Sequence, residues 1–175
     1  DLLPKSYYIN VEHILNNPNM YDTEMITKAI KKNNCITDLN LDRCNINDSD
    51  ILKIIESINK KPSIIIFNIS HNKIFKSDTF KSLSSITGVM SINLSNIKIC
   101  EYNLKLLVDG FIDNEDITTI NFKNIVDIIN STNLNYITEE IARLIAFNDS
   151  ISDINISNNN ITDIDPILNI LFFNK

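Results

Sequence analysis

Ile64-Ile65-Ile66-Phe67-Asn68-Ile69 reads apolar-x-x-apolar-Asn-apolar. The same phrase returns as Ile36-Thr37-Asp38-Leu39-Asn40-Leu41, Val89-Met90-Ser91-Ile92-Asn93-Leu94, Ile117-Thr118-Thr119-Ile120-Asn121-Phe122 and Ile151-Ser152-Asp153-Ile154-Asn155-Ile156. First residues of successive copies stand 28 (64−36), 25 (89−64), 28 (117−89) and 34 (151−117) positions apart. A fixed phrase recurring every roughly 20–50 residues marks a solenoid, in which each copy is one supersecondary unit.

Inside each phrase the alternation has period 2, so Leu39 and Leu41 share one face while Asp38, Asn40 and Asp42 share the other. That pattern is a short strand with one buried face. A polar turn and a helical pattern follow each copy. Asp48-Ser49-Asp50 is placed to cap a helix carrying Ile51, Ile54, Ile55 and Ile58, and Ser77-Asp78 precedes Phe80, Leu83 and Ile86. Leu104, Leu107, Val108 and Phe111 follow the third strand, and Thr138 with Glu139 opens a helix carrying Ile141, Leu144 and Ile145. Asp165-Pro166 sets a capping residue before a proline at a first helical position, while Gly88 and Gly110 fall near two helix ends. Residues 22–32, with Met25, Ile26, Ala29 and Ile30, read as a helix ahead of the first strand. Val11, Ile14 and Leu15 suggest a further short helix over the open end of the sheet, and 130–135 reads as a longer loop.

A strand-turn-helix unit cannot bury its apolar faces alone, but a stack of them can. Helices are wider than strands, so the stack bends with its sheet inward. The phrase resembles the leucine-rich repeat, Leu-x-x-Leu-x-Leu-x-x-Asn/Cys-x-Leu. It is best matched by 36–46 with Cys44 in the Asn/Cys slot, 64–74 with Asn72 and 151–161 with Asn159. Ile97 and Ile125 occupy that slot in the third and fourth copies, so those turns need other hydrogen-bond partners. Unit lengths near 28 are similar to the ribonuclease-inhibitor-like subfamily. The resemblance implies an α/β leucine-rich repeat solenoid: a right-handed β-α superhelix, with a curved parallel sheet on the concave side and helices on the convex side. Residues 1–33 are expected to be an N-terminal capping segment with a helix. Residues 34–175 are expected to hold about five repeats and a C-terminal helix within one domain.

At 175 residues and 43% hydrophobic the chain can bury a sizeable single core. A net charge of −6 argues against nucleic acid as the partner, since phosphate binding needs a basic face. Ile and Asn are heavily used, Lys supplies nearly all the positive charge and Arg occurs only at 43 and 143, as an AT-rich genome would encode. Cys35, Cys44 and Cys100 lack the spacing of a metal site or disulfide framework and read as reduced, buried thiols of a cytoplasmic protein. No apolar run is long enough to span a membrane. A start at Asp1 rather than Met is compatible with a removed upstream segment, a signal included. The Asn-x-Ser/Thr triplets follow from the abundance of Asn and Ser, three of them inside strands.

No catalytic, cofactor or metal signature is present. The histidines are His13 and His71, and no phosphate-cradling glycine motif or Cys-x-x-Cys occurs. Asp113-Asn114-Glu115-Asp116 reads as a solvated helix-to-strand loop, because it lacks the spaced oxygen ligands of a calcium site. The candidate site is therefore a protein-binding face. Asn40, Asn68, Asn93, Asn121 and Asn155 should stand in one row on the concave side, about 4.8 Å apart and within reach of one another. Beside them run Asp42, Ser70, Ser95, Lys123 and Ser157, with Arg43 and His71 at the strand ends and Ile65, Ile66 and Met90 as apolar anchors. Duplication of the unit would equally copy Asn into every strand. The leading reading is a non-enzymatic module that binds a protein partner through this face, with no cofactor. In length and repeat count the chain is also similar to the actin-pointed-end-capping domain of the tropomodulins, which implies actin-filament binding. Regulation of a small GTPase, by analogy with leucine-rich repeat activators, and a pathogen effector or surface protein are further alternatives.

Overall fold

A computed structural model describes residues 7–10, 23–60, 62–127 and 135–173. Six parallel strands, β1 (Tyr7–Asn10), β2 (Ile36–Asn40), β3 (Ile66–Asn68), β4 (Ser91–Asn93), β5 (Thr119–Asn121) and β6 (Asp153–Asn155), lie side by side in chain order. Between and after them run α1 (Thr23–Lys32), α2 (Asp48–Lys60), α3 (Ser77–Ser84), α4 (Glu101–Ile112), α5 (Tyr136–Phe147) and α6 (Asp165–Phe173). The chain is a leucine-rich-repeat-type α/β solenoid, its sheet on the concave side and its helices on the convex side. Strands need about 4.8 Å each and packed helices about 8–10 Å, and that mismatch is what bends the stack.

The five phrases each form the strand expected of them. A sixth strand, β1, precedes them and pairs in register through Asn10 opposite Asn40. Its sequence Ile9-Asn10-Val11 carries the second half of the phrase, but Ser6 stands where the other copies open with an apolar residue. The short helix expected at Val11, Ile14 and Leu15 and most of the loop expected at 130–135 lie outside the described residues.

Burial follows the period-2 pattern. Leu39, Phe67, Ile92 and Ile120 make one inward row and Leu41, Ile69, Leu94 and Phe122 the next, all inaccessible or nearly so. Ile154 and Ile156 extend both rows but are half-buried, because among the described residues β6 has a strand on one side only. Ile51, Ile54, Ile55 and Ile58 of α2 and Leu104, Leu107, Val108 and Phe111 of α4 close the core from the helical side. Phe111 meets Phe122 across it, ring centroids 6.4 Å apart.

Asparagine side chains stitch the units together. Buried Asn72 donates from Nδ2 to the carbonyls of Leu41, Ile69 and Ser70 and accepts the Ile46 N–H, so one amide closes turns in two units. Asn159 repeats this one end further along, donating to Phe122 and Ile156 and accepting from Ile125 and Val126. Cys44, in the same slot of the first unit, donates to the Asp42 carbonyl. Between the third and fourth units, where Ile125 replaces Asn, the buried Tyr136 hydroxyl bridges instead: it donates to the Ile99 carbonyl and accepts the Asp127 N–H. At the opposite strand ends, Asn114 bonds the Ser84 and Ile86 carbonyls, and Asn148 bonds those of Phe111 and Asn114.

Several local details differ from expectation. The cap of α2 is Asn47, whose Oδ1 accepts the N–H groups of Ser49 and Asp50, while the Asp48 carboxylate accepts those of Phe75 and Lys76 in the next unit. Gly110 lies near the end of α4 as expected, but within its last turn, where a Cβ would sit 2.0 Å from Ser84 Oγ. Gly88 takes φ +74°, and a Cβ there would sit 2.5 Å from Pro62 Cβ. None of the three cysteines forms a disulfide, but of the thiols expected to be buried only Cys44 is: Cys100 is half-buried and Cys35 is exposed, since it falls in the polar turn between α1 and β2. On the convex side Arg143 of α5 bonds Asp109 of α4 at 2.5 Å, and this bond holds the Asp109 carboxyl below the ordinary aspartate range.

Three outcomes follow. Ile69→Ala removes a side chain from mid-column and should cost about 2–5 kcal/mol in chemical denaturation, against nearly nothing for Lys76→Ala. Asn72→Ala strands buried peptide groups in two units and should cost on the order of 1–3 kcal/mol, more than a surface Asn. Because its folded carboxyl is depressed, Asp109 adds stability above its unfolded-state value that is lost as pH falls through the folded one. Arg143→Met should move the Asp109 titration, followed by carboxyl NMR, up toward the ordinary range, with Lys105 still holding it partly down.

Candidate functional site

The concave face is built from the outward half of each strand. The asparagine column is in register throughout: Asn40 opposite Asn68, Asn68 opposite Asn93, Asn93 opposite Asn121 and Asn121 opposite Asn155. Each Oδ1 accepts the N–H two residues on, at 3.0 Å in all five units: Asp42, Ser70, Ser95, Lys123 and Ser157. That is an Asx turn, which bends the chain out of the strand. The column therefore has a structural duty that accounts for Asn in every copy. Asn68 also donates to Asn40 Oδ1 at 2.9 Å, the one bond between two members of the column among those the structure describes.

Apolar surface interrupts the polar rows at the centre. Ile65 and Ile66 of the second unit and Met90 of the next are 40%, 44% and 47% exposed. They are contiguous, since the Met90 N–H bonds the Ile65 carbonyl. Ile66 lies between Asp38 and Ser91 in its row. A solvent-facing cluster of large aliphatics on a rigid sheet is the arrangement interfaces use as an anchor.

The row beyond the asparagines holds a tighter group. After each strand, at the same position of every unit, the backbone turns left-handed: Arg43 (φ 52°), His71 (56°), Asn96 (61°), Asn124 (54°) and Asn158 (60°). Their N–H groups continue the ladder, Arg43 to Ser70, His71 to Ser95, Asn96 to Lys123 and Asn124 to Ser157. Asn adopts this conformation readily; for most other side chains it costs on the order of 1–3 kcal/mol. Units three and four use Asn-Asn and bond them together, Asn124 Nδ2 to Asn96 Oδ1. Units one and two instead put Arg43 and His71 there and tie both to Asp42. His71 Nδ1 lies 2.7 Å from Asp42 Oδ1, Arg43 Nη1 3.5 Å from Asp42 Oδ2, and Arg43 Nη2 3.4 Å from His71 Nε2. A carboxylate only accepts, so Nδ1 carries the proton and Nε2 takes the Arg43 bond. The Ser70 hydroxyl donates to Asp42 or Asn68, not to the imidazole, so serine and histidine do not form a nucleophile-base pair.

The eleven residues named from sequence thus fall into three groups on one face: the turn-forming asparagines, the Ile66–Met90 anchor and the Asp42–Arg43–His71 cluster, with Lys123 further along. Sequence reasoning placed Arg43 and His71 on the rim but missed their shared backbone conformation; aligning all five copies at the seventh residue after the phrase's start would have shown it. Asp113, Glu115 and Asp116 line an open hollow at the opposite rim, where Asp116 accepts the Gly88 N–H and so serves the turn. Among the described residues no group of three His, Cys, Asp or Glu could hold a metal, and no helix is long and apolar enough to cross a membrane.

No family model matches the chain, and a search of curated proteins returns no match. Among solved structures it is similar to leiomodin-1 actin-binding site 2, at TM-score 0.72 and 14% identity, covering 87% of this chain and 88% of that one. It is also similar to the tropomodulin C-terminal domain of Caenorhabditis elegans, at TM-score 0.65 and 15% identity, covering 87% and 92%. These likenesses establish the fold.

The Asx geometry makes a checkable distinction. Asn121→Asp keeps the Oδ1 acceptor and should leave thermal stability nearly unchanged, whereas Asn121→Ala should cost about 0.5–1.5 kcal/mol.

Proposed function

We propose that this chain is a non-enzymatic protein-interaction module that takes its partner on the concave face. The observation carrying this reading is the exposed Ile65–Ile66–Met90 cluster at the middle of a sheet whose other outward positions are polar. The sheet is already ordered, so association immobilises few side chains and no loop. Asp42, Arg43, His71 and Lys123 form the charged margin, and residues 1–33 serve as the N-terminal cap of a single repeat domain of ribonuclease-inhibitor-like unit length. A cytoplasmic setting fits the three free thiols.

A second, narrower reading is binding to actin. It is favoured by the likeness over nearly the whole of both chains to a leiomodin domain described as an actin-binding site. Regulation of a small GTPase draws less support: Arg143 is held by Asp109 and Glu140, and Arg43 lies against Asp42 and His71.

Asn93 is a poor probe of this face because Arg there would also break an Asx turn; Ile66 bonds nothing through its side chain and sits at the centre. A photo-crosslinking residue at 66 should capture a protein partner that one at the convex, exposed Lys53 does not, and Ile66→Arg should weaken that complex about tenfold or more. Purified actin tests the narrower reading: slowed pointed-end elongation that Ile66→Arg abolishes supports it, and unaltered elongation sinks it. Equal capture at 66 and 53 would sink the concave-face reading itself.

A further inference from the structure

The protein carries a net charge of −6, yet one rim is basic. The strand-to-helix turns of the first three units (42–47, 70–76 and 95–100) contain five charged side chains: Asp42, Arg43, Lys73, Lys76 and Lys98. The four cations are all exposed, while the Asp42 side chain is 15% exposed and already engaged by His71 and Ser70. Between Lys73 and Lys76 stands Phe75, 62% exposed. Its backbone is not loose: the buried Asp48 carboxylate clamps the Phe75 and Lys76 N–H groups. A large aromatic projected into solvent from a pinned turn, among cations, has the composition of a hot spot rather than of a fold element.

The left-handed column adds an independent sign. Asn is the residue that fits this backbone, and three units use it. Arg43 holds the same conformation at an energetic penalty, His71 at a smaller one, and two of the Arg43 contacts are long, 3.4 Å to His71 Nε2 and 3.5 Å to Asp42 Oδ2. The guanidinium is oriented by these two contacts, and bonds of that length are exchangeable for a better acceptor. A planar fork of N–H donors accepts a carboxylate in two parallel bonds.

We infer that this rim, with Arg43, His71, Lys73, Phe75 and Lys76, is the docking site for an acidic segment of a protein partner, a carboxylate replacing the Arg43–His71 contact and an apolar side chain packing on Phe75. The inference rests on the protein-interaction reading but not on the aliphatic anchor of the concave strip. Charge complementarity decides the class: a basic segment would meet four exposed cations, whereas an acidic one neutralises them, with affinity that falls as salt screens the charges.

The test uses the isotopically labelled full chain with three probes: a Glu-rich peptide with a central Leu, its Lys-for-Glu counterpart, and oligothymidylate. The expected result is that the Glu peptide moves the amide signals of 42–44 and 70–76, that the Lys peptide does not, and that Ile66→Arg leaves this binding intact. Arg43→Asn/His71→Asn should weaken the Glu peptide about tenfold or more while the melting temperature stays level or rises, because Asn accepts the backbone. Phe75→Ala, which leaves the Asp48 clamp in place, should weaken it without loss of stability. The inference is overturned if the Glu peptide moves other regions or none, or if the double variant melts several degrees lower with binding unchanged. Tighter binding of oligothymidylate than of the Glu peptide would reassign the rim to phosphate and likewise overturn it.

Discussion

A parallel sheet of strands only three to five residues long has a difficulty that its core does not solve. Every strand runs out into turns at both ends, and the peptide groups of those turns have no ladder to join. Left unpaired inside the stack, each would cost about as much as one good apolar contact contributes. Here the carboxamide answers the problem at each level. Asn40 and its counterparts bend the chain as it leaves the strand, Asn72 and Asn159 tie a turn to the one before it, and Asn114 and Asn148 do so where helices return to strands. An amide carries an acceptor and two donors on one short stem, which is why Asn rather than Asp or Ser holds these places. The aliphatic columns supply the driving force, but the side-chain amides let the backbone be buried.

The junction of the third and fourth units, where Ile125 fills the turn slot, meets the same demand in another way. A phenol is the substitute: Tyr136 sits at the start of α5 and brings its hydroxyl back between Ile99 and Asp127. The sequence pattern forecast that other partners must exist there but could not say which, because the tyrosine arrives from 37 residues away. The strands, their inward rows and the helical faces were legible because each is dictated by local periodicity. What escaped was set by relations between copies. β1 lacks the opening apolar residue, the left-handed column mixes Arg, His and Asn, and Asp48 caps not its own helix but the neighbouring turn.

The face was legible to a similar degree. Alternation put the five asparagines, Asp42, Ile66 and Lys123 on one side of the sheet, while Met90, Arg43 and His71 were placed by their positions at the strand ends, and the register holds the asparagines at one height. It could not distinguish an asparagine that makes a turn from one that waits for a ligand, since both project outward with the same spacing. The distinction lies in the Oδ1 bond to the following backbone, a three-dimensional fact. Once that duty is assigned, the binding argument passes to side chains that have none: the Ile66 cluster and the aromatic between two lysines.

The same stitching has a consequence for how the chain comes apart. Each unit's turns are closed by atoms of the next, so no unit is complete alone and each is stabilised chiefly by its immediate neighbours. Such a molecule behaves as a one-dimensional Ising chain: opening begins at an end and travels unit by unit, rather than everywhere at once. Ile154 and Ile156, half-buried where β6 has one strand neighbour, mark the boundary from which that front would advance. Amide exchange would slow in steps from there toward Asn72. The interaction surfaces around β3 lie inside the sheet, with β4 and β5 between β3 and β6, so opening at β6 would leave the recognition surface folded.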